Sequence, residues 1–302
     1  MNLLVVGSIG FDTVETPHGK SEKALGGTAV YCSVAASYFT KVGMVAAVGT
    51  DFPEQHTEFL RQKGIDLTGL MTLPGETFHW GGRYHPDMNG RDTLFTHLNV
   101  FQDFKPTLPK SYCSAPLVFL GNIHPQLQLH VLEQVQAPKL VALDTMNYWI
   151  EGTPDLLKEV LKKVDILFVN DEEARQLANE MNLLRAARKI WSMGPRIIVI
   201  KKGEHGALLF YEGDIFFAPA YPLENVVDPT GAGDTFAGGF MGYLATSQNF
   251  DHNHLRCAMI YGSTLASFAV EDFSIEKLRT LEERDIFERF AAFQRLTQFS
   301  RE

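Results

Sequence analysis

The sequence predicts an α/β fold: a three-layer α/β/α sandwich with a mostly parallel central sheet and a small β-sheet lid. Two observations carry the main prediction. Short runs of Val, Ile and Leu recur along the chain without polar alternation, the pattern of strands covered on both faces. Helical segments of ten or more residues separate several of these runs, and such alternation builds βαβ units around a parallel sheet. The lid follows from a third observation, two turn-rich stretches that break the rhythm.

Leu3 to Val6 is the first apolar run, ending in Gly7-Ser8. Gly26-Gly27-Thr28 then opens an Ala-rich helix to Phe39, with Thr28 near its N-cap. Val45 to Val48 is a strand, and Pro53 to Lys63 a helix stopped by Gly64. Leu117–Leu120 and Leu140–Leu143 are strands separated by a helix from Pro125 to Gln136. Ile166–Val169 and Ile197–Ile200 continue the pattern. Residues 11–24 are polar and turn-rich, and residues 72–101 alternate aromatic and polar side chains around Pro86-Asp87 and Asn89-Gly90. Both are expected to form short antiparallel strands of the lid, with plain surface hairpins as the alternative. No linker or repeat divides the chain, so residues 1–302 are expected to form one unit with the lid inserted in it.

Composition narrows the function. The 302 residues carry a net charge of −9, which argues against a nucleic-acid partner because phosphate backbones need a basic face. Cys32, Cys113 and Cys257 are too far apart for a metal motif or a disulfide framework. No apolar run approaches the roughly 18 residues that span a bilayer. A cytoplasmic protein without a membrane partner is expected.

The most informative segment is Asp228-Pro-Thr-Gly-Ala-Gly-Asp-Thr-Phe-Ala-Gly-Gly-Phe-Met-Gly242. A turn of Gly231, Ala232 and Gly233 leads into a helix expected to begin near Asp234. Small residues let the backbone approach a ligand, and the amides at a helix N-terminus suit developing phosphate charge. An Asp at the mouth of such a pocket can take the proton of an attacking hydroxyl. The plainer account makes Asp234 a helix cap and the glycines a tight turn. It leaves Gly238, Gly239 and Gly242 inside the helix unexplained, where each costs about 1 kcal/mol relative to Ala. They indicate close packing or close approach of a ligand.

This segment resembles the second signature of the PfkB/ribokinase family of carbohydrate and nucleoside kinases. Asp12 with Gly26-Gly27 looks like the family's N-terminal substrate-binding pattern. Asn170-Asp-Glu-Glu173 looks like its N-x-x-E motif, and Lys202-Gly203-Glu204-His205-Gly206 like its G-x-x-G turn near the nucleotide. The elements occur in family order over nearly the whole chain. The resemblance implies a ribokinase-like fold and transfer of a phosphoryl group from ATP to an alcohol. Asp234 would be the general base, and Ala232, Gly233 and Asp234 would offer their amides to the transferring group. It implies Mg²⁺ near Asn170 and Glu173, held through water, and an acceptor contacted by Asp12, Gly26 and Gly27. Family members often hold a monovalent cation such as K⁺ between the Asp228 loop and the loop at Ser274.

Other positions are weaker. Lys201 ends a strand where the family has a Thr-x-Gly pattern; it serves phosphate charge or is a solvated strand end. Asn122, His124 and Asp144 end strands and are candidate pocket lining. Gly262 and Ser263 lie where the family closes its adenine pocket. Tyr31 stands where the family tends to carry Asn. A sugar or polyol is the expected acceptor and a nucleoside the alternative, with Phe78, Trp80, Tyr84 and Phe95 as candidates to stack on a base. A non-catalytic sugar or nucleotide sensor is the reading from another class. A homodimer through the lid is the partner expectation beyond the small-molecule substrate.

Overall fold

Strand β1 (Leu3–Val6) buries every side chain, and they alternate between two cores. Leu3 and Val5 face one apolar cluster, Leu4 and Val6 the other. That division is what an uninterrupted apolar strand dictates when both faces of its sheet are covered. A computed structural model describes residues 1–247 and 249–298, so the last four residues of the expected unit lie outside the described residues.

The chain continues through β2 (Gly10–Thr16), β3 (Gly19–Gly26), α1 (Thr28–Ser37), β4 (Val42–Gly49), α2 (Glu54–Gln62) and β5 (Asp66–Leu73). Next come β6 (Phe78–Tyr84), β7 (Arg91–His97), β8 (Leu117–Leu120), α3 (Pro125–Leu132) and β9 (Leu140–Asp144). The middle holds α4 (Asn147–Gly152), α5 (Pro154–Leu161), β10 (Ile166–Asn170), α6 (Asp171–Ala178), α7 (Leu183–Trp191) and β11 (Ile197–Lys201). A hairpin of β12 (Ala207–Tyr211) and β13 (Asp214–Ala218) precedes α8 (Ala232–Leu244), α9 (His252–Ala269), α10 (Glu276–Thr280) and α11 (Glu283–Thr297).

The main sheet has nine strands in the order β13-β12-β11-β10-β9-β8-β1-β4-β5. All neighbours from β11 to β5 pair parallel, and β12 and β13 add antiparallel at one edge. One face carries α1, α8 and α9, and the other α3 and α5 to α7. Among the described residues no helix is long and apolar enough to cross a membrane.

The second sheet has four strands in the order β3-β2-β6-β7. The stretch expected to be wholly antiparallel is mixed: β2 pairs parallel with β6, since the chain returns between them only after crossing α1, β4, α2 and β5. Residues 72 and 73 belong to β5 of the main sheet and not to the small one.

The glycines inside α8 belong to packing. A Cβ on Gly238 would sit 2.3 Å from the Cys32 carbonyl oxygen of α1, and one on Gly242 would sit 2.8 Å from Ala36 Cα. On the opposite side a Cβ on Gly239 would be 2.9 Å from the Tyr261 carbonyl of α9. Backbone therefore lies against backbone across all three helices.

Candidate active site

The helix α8 begins earlier than the sequence suggests. Gly231 is the N-cap, with φ of +74°, and Asp234 is the third helical residue. No side chain caps this helix, so the reading of Asp234 as a cap is wrong. The left-handed conformation at Gly231 favours glycine, and a Cβ there would also meet the Tyr31 ring at 2.4 Å. The amide of Ala232 is already committed, donating to the Pro229 carbonyl at 3.2 Å, which corrects the expectation that it faces a phosphoryl group. Among the described residues the amides of Gly233 and Asp234 donate to no protein acceptor. They form the unspent N-terminus of α8.

Lys201 supplies positive charge at that turn. It stands at the C-terminal end of β11, and a Cβ on Gly233 would lie 2.9 Å from its Nζ. Nζ also donates to Asp144 Oδ2 at 2.9 Å from the end of β9. Burial opposes the Lys201 charge, but Asp144, Glu173 and Asp234 outweigh it and raise the pKa above the ordinary lysine value. Lys201 is thus no solvated strand end. Asp144, expected among the acceptor contacts, is instead the partner of this ammonium, and its Oδ1 accepts from the Thr145 amide at 2.8 Å.

Asp234 is pushed up to about 7 by loss of hydration and by Asp144 and Glu173, against Lys201 and Arg91. A carboxyl held there is poised to exchange a proton near neutral pH. Glu173 also reaches about 7, through desolvation and Asp144. It forms a capping box with Asn170: the Glu173 amide donates to Asn170 Oδ1 at 2.7 Å, and the Asn170 amide donates to Glu173 Oε2 at 2.8 Å. The local capping account of this motif therefore holds, and it leaves Glu173 Oε1 free. No group of three His, Cys, Asp or Glu among the described residues could hold a metal ion. A divalent cation here has to take most of its ligands from phosphates and water.

The residues expected to contact the acceptor stand on β2, β3 and the turn into α1. Gly26 makes room for Asp12 itself, because a Cβ at 26 would fall 2.0 Å from Asp12 Oδ2. Gly27, with φ of +96°, caps α1 without a side-chain bond and would press a Cβ to 2.5 Å from the Ser8 carbonyl. Thr28 is not the cap; its Oγ1 accepts from the Ser8 amide while Ser8 Oγ accepts from the Thr28 amide, both at 3.2 Å. Asp12 is 6% exposed, and burial with Asp228 and Asp234 raises it to about 7.

The small sheet roofs this site. Trp80 is the register partner of Asp12, and Arg91 that of Tyr84. The Thr230 hydroxyl donates to the Tyr84 oxygen at 3.2 Å, which ties the sheet to the turn before α8. Arg91 lies 5.6 Å from the Trp80 ring centroid and lowers the pKa of Asp12, Asp234 and Glu173. The turn between β6 and β7 brings Asn89 Oδ1 to 3.5 Å from where a Cβ on Gly203 would lie. Sequence reasoning missed Arg91, since one Arg after an Asn-Gly turn carries no pattern. It also placed Phe95 among the stacking candidates. Phe95 instead packs on His79 and His97, and His79 bonds Thr13 at 2.9 Å on the face away from Asp12. Phe78 is half committed to Phe101, at 5.7 Å, so Trp80 and Tyr84 remain.

The other expected residues lie along the same sheet edge. Asn122 Oδ1 accepts from Trp149 Nε1 at 2.9 Å. His124 is the N-cap of α3 and accepts from the Gln126 amide at 3.1 Å, a structural role. Gly203 and Gly206, with φ of +54° and +79°, make the turn from β11 to β12. Gly262 packs on the Phe236 carbonyl and Ser263 is buried beside it on α9.

The free amides, Lys201 and Asp234 fit a phosphoryl donor, and comparison with known proteins bears on this. A family model described as pfkB family carbohydrate kinase matches residues 3–277. A cytidine kinase of Thermococcus kodakarensis is 34% identical over 247 residues, covering 80% of this chain and 87% of that one. Two solved structures share the fold. A putative ribokinase II from E. coli in complex with ATP and Mg²⁺ has TM-score 0.78 and 19% identity, covering 97% of this chain and 99% of that one. Burkholderia thailandensis nucleoside kinase in complex with inosine has TM-score 0.78 and 20% identity, covering 96% and 98%. The extent of the family match, with the 34% identity to one of its kinases, shows that the chain belongs to the pfkB family of carbohydrate kinases, phosphotransferases that use ATP and an alcohol acceptor.

Proposed function

We propose that this chain phosphorylates a hydroxyl on the ribose of a nucleoside, with Asp234 as general base. The observation that carries the reading is the pairing of Asp12 and Trp80 on the site face of the small sheet: a carboxylate for sugar hydroxyls beside an indole for a base. The 34% identity to a cytidine kinase supports it. A free sugar would use Asp12 but leave Trp80 without a role.

The acceptor oxygen attacks the γ-phosphorus as its proton passes to Asp234, and the bond to ADP breaks. The amides of Gly233 and Asp234, with Lys201 Nζ, hold the charge of the transferring group. Arg91 meets the same charge from the small sheet, which we read as a lid that excludes competing water. Mg²⁺ bound with ATP would neutralise phosphate charge, and Glu173 Oε1 is placed to reach it through water. Asp228 is buried, and it is bonded to the amides of Thr230 and Ser274 at 2.9 and 3.1 Å but to no cationic side chain among the described residues. A K⁺ ion between those loops would balance it. A second copy would dock along the outer edge of the small sheet, where Leu94 and Leu98 are each 44% exposed. The free thiols of Cys32, Cys113 and Cys257 fit a cytoplasmic setting.

The test is ADP release with Mg·ATP across cytidine, uridine, inosine, ribose and polyols, for wild type and Trp80→Leu. Nucleoside turnover lost in Trp80→Leu supports the reading. Turnover of ribose or a polyol alone, unchanged in the variant, refutes it.

A further inference from the structure

We infer that Tyr31 is a specificity-determining residue, its phenolic O–H donating to a non-reacting hydroxyl of the acceptor that itself hydrogen-bonds to Asp12. The inference rests on the reading above only in taking the Asp12 side of the site as the acceptor's. Tyr31 lies in the first turn of α1, four residues after Gly27, and is 1% exposed. Its hydroxyl oxygen has no hydrogen-bond partner among the described residues. The other recessed tyrosines are satisfied: Tyr38 and Tyr112 donate to backbone carbonyls at 2.6 and 2.9 Å, and Tyr84 accepts from Thr230. A core position that needed only volume would be served by Phe, because a buried hydroxyl without a partner costs free energy.

The position of the phenol says what its partner is. Its ring lies against Gly231, so that a Cβ there would come within 2.4 Å. The charged groups around it are Asp12, Asp228 and Asp234, with Tyr84 above. None of the three carboxyl groups hydrogen-bonds to the phenol, and each accepts when ionised. A buried donor set among acceptors that it does not bond is complementary to a ligand hydroxyl, which takes one hydrogen bond and gives one. Burial and these carboxylates push the Tyr31 pKa well above the ordinary value, so the donor keeps its proton. An Asn here would end short of this point, so the phenol also sets how deeply the acceptor sits.

The experiment compares wild type and Tyr31→Phe on cytidine and its 2′-deoxy and 3′-deoxy forms, and on ribose, with melting temperature and the KM for ATP measured beside them. Tyr31→Phe removes one oxygen. We expect kcat/KM for cytidine to fall roughly 10- to 100-fold, mainly through KM, with the KM for ATP and the melting temperature unchanged. The deoxy acceptor lacking the bonded hydroxyl should lose nothing further in the variant. Equal kinetics of both proteins on every acceptor would overturn the inference. So would a uniform loss on all acceptors with a lowered melting temperature, the mark of a packing role. If wild type ignores nucleosides and turns over ribose, the nucleoside reading fails, and the same comparison on ribose and 2-deoxyribose decides the role of Tyr31.

Discussion

Replacing Asp234 by Asn should abolish turnover and make the unliganded protein more stable, most of all at neutral and alkaline pH. The carboxyl titrates near 7 in the folded chain against an ordinary 3.8. Below that ordinary value it is protonated in folded and unfolded chains alike, and no penalty exists. As pH rises from 3.8 to about 7 the unfolded chain gives up the proton first, so stability falls; above 7 the full penalty is present. A shift of about 3 units corresponds to about 4 kcal/mol. The side chain retains some solvent and its carboxylate neighbours relax when it is neutralised, so a gain of roughly 2 kcal/mol is expected at pH 8. At pH 4.5 the same linkage leaves about 1 kcal/mol before that discount, so a gain of about 0.5 to 1 kcal/mol is expected. Urea titrations of wild type and Asp234→Asn at both pH values, without nucleotide, measure it. An equal gain at both, or a loss at pH 8, would refute the charge argument, and near-wild-type turnover would remove Asp234 as the base.

Three other substitutions test neighbouring parts of the argument. Lys201→Met removes the cation that lowers Asp234 and Glu173, so the acid limb of kcat/KM against pH should move upward by about a unit and kcat should drop about 100-fold; a limb that stays put would mean Lys201 does not face the base. Arg91→Ala should cost about 10-fold in kcat with the melting temperature unchanged, because the residue is exposed on the small sheet; full activity would leave the arginine without a role. Gly238→Ala gains about 1 kcal/mol of helix propensity but forces a Cβ to 2.3 Å from the Cys32 carbonyl, for a net loss of about 3 kcal/mol. Gly152→Ala meets nothing within 4 Å and is the control; equal denaturation midpoints for the two would refute the packing account.

The turn into α8 was legible because glycine spacing and an Asp at a helix start write backbone geometry directly into sequence. The central strands were legible for a similar reason: β10 and β11 are unbroken apolar runs. Strand β5 was not, since Asp66, Thr68 and Gly69 interrupt an edge strand that needs to bury only part of itself. The face of Phe95 was hidden by a register shift between Gly81 and Gly82. Strict alternation would put Phe95 on the side of Arg91, and the bulge sends it to the other. Arg91 and the partnership of Lys201 with Asp144 arise from tertiary approach, across 57 residues in the second case, and no local pattern announces them.

The bare contacts along α8 fix a dimension of the enzyme. Where carbonyl meets α-carbon across α1 and α8 there are no rotamers to readjust, so the separation of the helices that carry Tyr31 and Asp234 is set by the thickness of two peptide backbones. Substitutions in the overhanging strands can retune what is admitted while that gauge stays constant. A change of acceptor would then leave the relative placement of those two helices as it is.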